Sequence, residues 1–289
     1  MPLESLVQYS TTQEQKINSI NRKRSPHRRL FAELGPGISP WVSFRNSLWK
    51  KGLASLENRK PLVRSANPVP VPESIPSTCT TISVPDDISY FLRLDCSEFL
   101  VRDEYREAEK AVLEANEEPV DAFVVTGQPG IGLFSLTLTL ATPDLHLGKS
   151  VFLLWLLMRR LALGLPTVFQ YRANHAILFH QGGTRSFRHL DDLSPYRGLK
   201  VPPLNHGRVW ALIDSCWLDP APAPVFQNSV PFFTVEAASP HKRYLEWTED
   251  VAYRLFYMKT WDFSEVVQAS VIQFFWWLSE LTFSVVAHS

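Results

Sequence analysis

The chain has 289 residues, 45% of them hydrophobic and 20% charged, and its 29 Lys and Arg balance its 29 Asp and Glu. That composition suits one large or two small globular domains, and a formal net charge of zero removes any whole-chain attraction to nucleic acid or an anionic membrane. Three cysteines without a CxxC spacing, Cys79, Cys96 and Cys216, suggest neither a disulfide framework nor a zinc site, and a start lacking signal-peptide character makes an intracellular location the expectation.

Residues 1–85 read as a low-order basic and Pro-rich arm. Residues 1–64 carry 12 Lys and Arg against 4 Asp and Glu, with a cluster at Arg22, Lys23, Arg24, Arg28 and Arg29. Such a cluster has the composition of a nuclear-import or nucleic-acid patch, and equally that of a solvated basic arm. The stretch NPVPVPESIP at 67–76 favours extended, polyproline-like spacer conformations.

From about residue 97 the pattern changes. Apolar side chains at Leu100, Val101, Tyr105, Ala108, Val112 and Leu113 have amphipathic spacing and predict a helix over 98–116. Residues 121–126, DAFVVT before Gly127, form a short continuous apolar run of the kind found in buried parallel strands. Residues 150–163, SVFLLWLLMRRLAL, are apolar on nearly every side, as in a buried helix.

Strands are predicted at 167–171, 176–180, 208–213 and 231–236, the first two close enough to pair. Helices are predicted at 241–253 and 264–281. This alternation implies an α/β fold with a mainly parallel core sheet. The domain expectation is an arm at 1–85, an α/β domain at 86–267 and an atypical C-terminal helix at 268–289. The longest apolar runs, 151–158 and 271–278, fall short of the roughly 18 residues needed to cross a bilayer, so no membrane partner is expected.

The predicted strand at 121–126 runs into Gly127-Gln128-Pro129-Gly130-Ile131-Gly132, and Gly148-Lys149-Ser150 opens the predicted helix. Without the 16 residues 133–148 the sequence reads GQPGIGKS, the G-x-x-x-x-G-K-[ST] phosphate-binding loop between strand and helix. Glycines let successive N–H groups turn inward around phosphate oxygens. The following helix aims its first amides at the same anion, lysine reaches the terminal phosphates, and the serine hydroxyl ligates Mg²⁺. Residues 133–148, LFSLTLTLATPDLHLG, split that loop, either as a genuine embellishment or as an in-frame retained intron.

Asp214, after the apolar run 208–213, is placed to support Mg²⁺. Ser215 follows it where a water-activating carboxylate is common, leaving Asp219 and Glu236 as candidate bases. His175, His180, His189 and His206 match no established zinc spacing, and the tryptophans from Trp155 onward lie mostly on apolar elements, as core residues do.

FTVEAASPHKRYLEW at 233–247 and FYMKTW at 256–261 before Glu265 join the split loop in a wider likeness. Over about residues 99–267 the chain resembles the P-loop NTPase module of Crinkler-type effectors and retrotransposon hot spot proteins, the insertion being the one large interruption. The resemblance implies an ATP- and Mg²⁺-binding, P-loop NTPase-like three-layer fold. Lys149 and Ser150 would contact phosphate and Mg²⁺, Asp214 would support the metal, and Ser239 would stand at a nucleotide-sensing position. It also implies an ATPase-like module coupled to a protein partner or nuclease-like domain, with a nuclear destination. Residues 268–289 depart from that pattern. Two other functions fit the residues: an interaction protein that keeps the fold without nucleotide, and nucleic-acid binding through residues 1–64.

Overall fold

The computed structural model describes residues 40–61, 78–92, 97–127, 147–172, 175–188, 190, 193, 208–215, 222–227, 232–238, 246–262, 264–265 and 268. Contacts divide the chain into Met1–Ser43 and Phe44–Ser289. Of the first unit only residues 40–43 are described, where helix α1 (Pro40–Leu48) begins.

The second unit holds two sheets. The smaller has the order β1 (Glu57–Pro61), β2 (Thr78–Ser83), β3 (Glu98–Leu100), all antiparallel. Helix α2 (Asp86–Phe91) lies between β2 and β3 in the chain. The larger follows helix α3 (Asp103–Glu117) and contains β4 (Ala122–Gly127), β5 (Thr167–Arg172), β6 (His175–His180), β7 (Gly183–Phe187), β8 (Val209–Asp214), β9 (Phe232–Ala237) and β10 (Tyr253–Met258). Its spatial order is β10-β4-β9-β8-β5-β6-β7. The five strands from β10 to β5 are parallel, and β6 and β7 continue the sheet antiparallel. The fold is therefore α/β with a mainly parallel mixed sheet.

Burial explains why the central strands are apolar throughout. Every residue of β4 and of β9 is buried, which requires cover on both sheet faces. Helix α4 (Leu147–Ala162) supplies cover on one face. Arg160 of α4 lies 4.0 Å over the Trp210 ring, and Trp210 packs on Phe233 at 5.2 Å. On the other face Val209, Ala211 and Ile213 cluster with Leu190, Leu193, Val225 and Phe226, the last two from the short helix α5 (Pro224–Gln227). Residues 151–158 of α4 are buried without exception, as a helix apolar all round demands.

Several expectations change. Ordered structure starts well before residue 86, with α1, β1 and β2 inside the stretch read as an arm. β1 and β2 pair across residues 62–77, and such non-local pairing leaves no mark in local composition. The helix expected at 98–116 starts at Asp103, because Glu98–Leu100 pairs with β2 and buries Phe99 and Leu100. Asp103 and Glu104 then occupy the first turn of α3, where acidic side chains complement the helix dipole.

Of the helix expected at 241–253, residues 241–245 lie outside the described residues; over the rest a 3₁₀ turn spans Glu246–Asp250 and Tyr253 begins β10. β4 offers a free edge there, and Phe256 stacks on Phe123 with ring centres 6.2 Å apart. β7 was not expected. Of the helix expected at 264–281, Ser264, Glu265 and Gln268 are described and helical. The expected pairing of 167–171 with 176–180 is present as the antiparallel β5–β6 pair. Among the described residues no helix is long and apolar enough to cross a membrane.

Candidate functional site

β4 ends at Gly127, whose φ of 154° favours a residue without a side chain. α4 brings Gly148, Lys149 and Ser150 into its first turn. Lys149 is buried to 3% relative exposure, and its ammonium donates to the carbonyl oxygen of Gly127 at 3.2 Å. A lysine buried this deeply needs such acceptors to offset its lost hydration. Ser150 is half-buried beside it. The Tyr105 hydroxyl donates to the carbonyl oxygen of Gly148 at 2.9 Å, so α3 also holds this turn.

Asp214 is the last residue of β8. Its register partner on β9 is Ala237, and Ala237 also pairs with Val125 of β4. Asp214 is thus level with Val125, two residues before the end of β4, and separated from it by a single strand, roughly 10 Å at ordinary strand spacing. Side chains alternate along a strand, so Asp214 shares its face with Leu212 and Trp210, the face on which Arg160 of α4 packs. Lys149 is in contact with Gly127, and Asp214 stands at the same carboxyl edge on the helix side. In open α/β sheets ligands bind along that edge. Gln128, Pro129, Gly130, Ile131, Gly132, Asp219 and Ser239 lie outside the described residues.

Glu236, a candidate base, occupies the opposite face. Ser215 donates its hydroxyl to one carboxyl oxygen, and the Trp247 indole N–H donates to the other at 2.8 Å. The side chain is fully buried, and that burial pushes its pKa up to about 8 against the pull of the two hydrogen bonds. With both oxygens engaged beneath the sheet, Glu236 does not face the first turn of α4. A structural part in holding Ser215, and through it the end of β8, accounts for its contacts.

Comparison with protein-family models, with curated proteins and with solved structures finds no match for the chain. The site is therefore read from its own geometry.

α3 ties the edge together. Arg102, at its N-terminus and 2% exposed, pairs with both carboxylate oxygens of Glu265 at 2.9 and 3.0 Å and donates to the carbonyls of Lys259 and Thr260 at 3.2 and 3.4 Å. Its guanidinium lies 6.0 Å from the centre of the Tyr105 ring and 5.0 Å from that of Trp261. Glu104 accepts the Lys259 backbone N–H at 3.1 Å. In the sequence Tyr105 is one of several apolar positions of an amphipathic helix, and Arg102 carries no signal. Their partners stand 43 and 163 residues away, beyond the reach of any local pattern.

Proposed function

We propose that the chain binds a nucleoside triphosphate with Mg²⁺, ATP being the nucleotide expected, at the first turn of α4, as a P-loop NTPase-like module of the Crinkler or retrotransposon hot spot kind. The observation that carries this reading is the Lys149 ammonium held against Gly127. It joins the end of a buried parallel strand to the start of a buried helix, and Asp214 stands one strand removed on the same face. The donor set fits the ligand. The N-terminal amides of α4 and the lysine suit phosphate oxygens, while a serine hydroxyl and a carboxylate suit Mg²⁺. When bound, the metal neutralises charge on the phosphates.

Binding, with hydrolysis that is slow or depends on a partner, fits these residues better than rapid turnover. Ser215 follows Asp214, and Glu236 is engaged on the far face. A preorganised base for the attacking water is missing from the described part of the edge, and positioning that water is a large share of phosphoryl-transfer catalysis.

The test is a fluorescent-ATP titration with Mg²⁺ on the full chain and on a version lacking residues 133–148. Saturable binding that Lys149→Ala abolishes is expected. Binding by the shortened chain alone identifies the insertion as what disables the loop. Lack of binding by both chains overturns the nucleotide reading and leaves an interaction protein with this fold.

A further inference from the structure

The Tyr105 hydroxyl is 43 residues from its acceptor, and its side chain is buried. Tyr105 is 1% exposed, and its ring packs against Phe152 and Trp155 of α4 at 5.7 and 6.0 Å between centres. Burial pushes its pKa well above the ordinary phenol value, so it remains a hydrogen-bond donor throughout the physiological range.

The acceptor is informative. The carbonyl of Gly148 and the N–H of Lys149 belong to one planar peptide unit and point in opposite directions. In the first turn of a helix such an N–H points out of the helix end, the direction from which an anion is bound. Fixing the carbonyl therefore fixes the direction of the amide that would meet a phosphate. The carbonyl oxygen has two lone pairs, so the tyrosine bond does not displace the helix's own ladder. Lys149 is then held twice, its backbone through Tyr105 and its ammonium through Gly127.

We infer that Tyr105 is a positioning residue for the phosphate-binding turn, aiming the Lys149 amide at the anion, with Arg102 anchoring it to the segment after β10. This rests on the nucleotide reading above. Arg102 packs its guanidinium on the Tyr105 ring while holding Glu265 and the carbonyls of Lys259 and Thr260. The start of α3 thereby joins two parts of the carboxyl edge that are far apart in the chain.

The experiment titrates inorganic tripolyphosphate with Mg²⁺ by calorimetry into the wild-type chain, Tyr105→Phe and Thr234→Val. Thr234→Val is the control, because it too removes a buried hydroxyl bonded to a backbone carbonyl, that of Phe226 at 2.9 Å on the face away from α4. Both variants are expected to lower the unfolding temperature to a similar degree. Tyr105→Phe alone is expected to weaken binding, by about three- to tenfold, as loss of one hydrogen bond implies. Unchanged affinity in Tyr105→Phe overturns the inference, as does an equal loss in Thr234→Val, which would reduce the effect to stability. Where only the version lacking residues 133–148 binds tripolyphosphate, the same two substitutions are compared in that version; failure of both chains to bind overturns the nucleotide reading and this inference with it.

Discussion

The Lys149 ammonium donates to the carbonyl oxygen of Gly127 at 3.2 Å, across 22 residues of chain. That contact closes strand β4 onto helix α4 whatever path residues 128–146 take. Under the nucleotide reading it holds strand and helix together at the proposed phosphate-binding turn while occupying the ammonium with a protein acceptor. A phosphate arriving there exchanges one acceptor for a charged one, which makes the stronger hydrogen bond.

Replacing Lys149 separates binding from folding. Lys149→Met keeps the stem's volume and removes the charge. Its midpoint of chemical denaturation is expected to stay near that of wild type, because burial of the ammonium costs about as much as its hydrogen bonds return. Affinity for Mg-tripolyphosphate is expected to fall at least tenfold, from loss of a charge-assisted bond of roughly 1.5–3 kcal/mol. Unimpaired binding would show that the anion does not approach this turn.

Asp214 has a narrower task under the same reading. Asp214→Asn is expected to leave metal-free tripolyphosphate binding in place and to remove most of the gain from adding Mg²⁺, since a neutral amide is a poorer ligand for a hard cation. Titrations with Mg²⁺ and with EDTA read this directly. An equal loss under both conditions assigns Asp214 a structural role at the end of β8.

Glu236 makes stability pH-dependent. Its folded-state pKa is raised to about 8 by burial, whereas in the unfolded chain it ionises in the ordinary carboxylate range. The folded protein therefore holds the extra proton between those values. The stabilisation is fully present below the unfolded pKa, is lost as pH rises toward about 8, and changes little above it. The size is on the order of 5 kcal/mol over that window. Glu236→Gln, which can bond both Ser215 and Trp247, should flatten the difference between urea denaturation at about pH 5 and about pH 9. Parallel pH dependences for the two proteins would mean that another group carries it.

Two ion pairs differ in depth and should differ in worth. Glu265 faces Arg102, whose side chain is 1% exposed, while Lys110 and Glu114 are 81% and 54% exposed. Glu265→Ala leaves a buried guanidinium without its carboxylate and is expected to cost about 3 kcal/mol. Glu114→Ala is expected to change stability by less than about 0.5 kcal/mol. Equal effects in denaturation would show that water reaches Arg102 once Glu265 is gone.

The sequence alone determined the elements whose signal is local. The continuous apolar runs that became β4, β8 and β9 were legible because strands buried on both faces admit no polar alternation. Helix α4 was legible because it is apolar all round, and Asp214 because an apolar run stops at it. The placement of Lys149 and Ser150 at the start of that helix was legible in the same way.

Tertiary structure decided what depends on partners distant in the chain. β1, β2 and β3 are short and individually weak, and they exist because each supplies the others' backbone hydrogen bonds. Tyr253–Met258 became a strand because β4 had an open edge, a partner that no local pattern announces. Glu236 was moved from candidate base to buried support by strand alternation and by Trp247, neither visible until β8 and β9 were in register. Tyr105 and Arg102 bond to Gly148 and Glu265, partners that no window of sequence contains. Propensity and periodicity act over a few residues, whereas register, burial and hydrogen-bond satisfaction are settled only when the whole chain has packed.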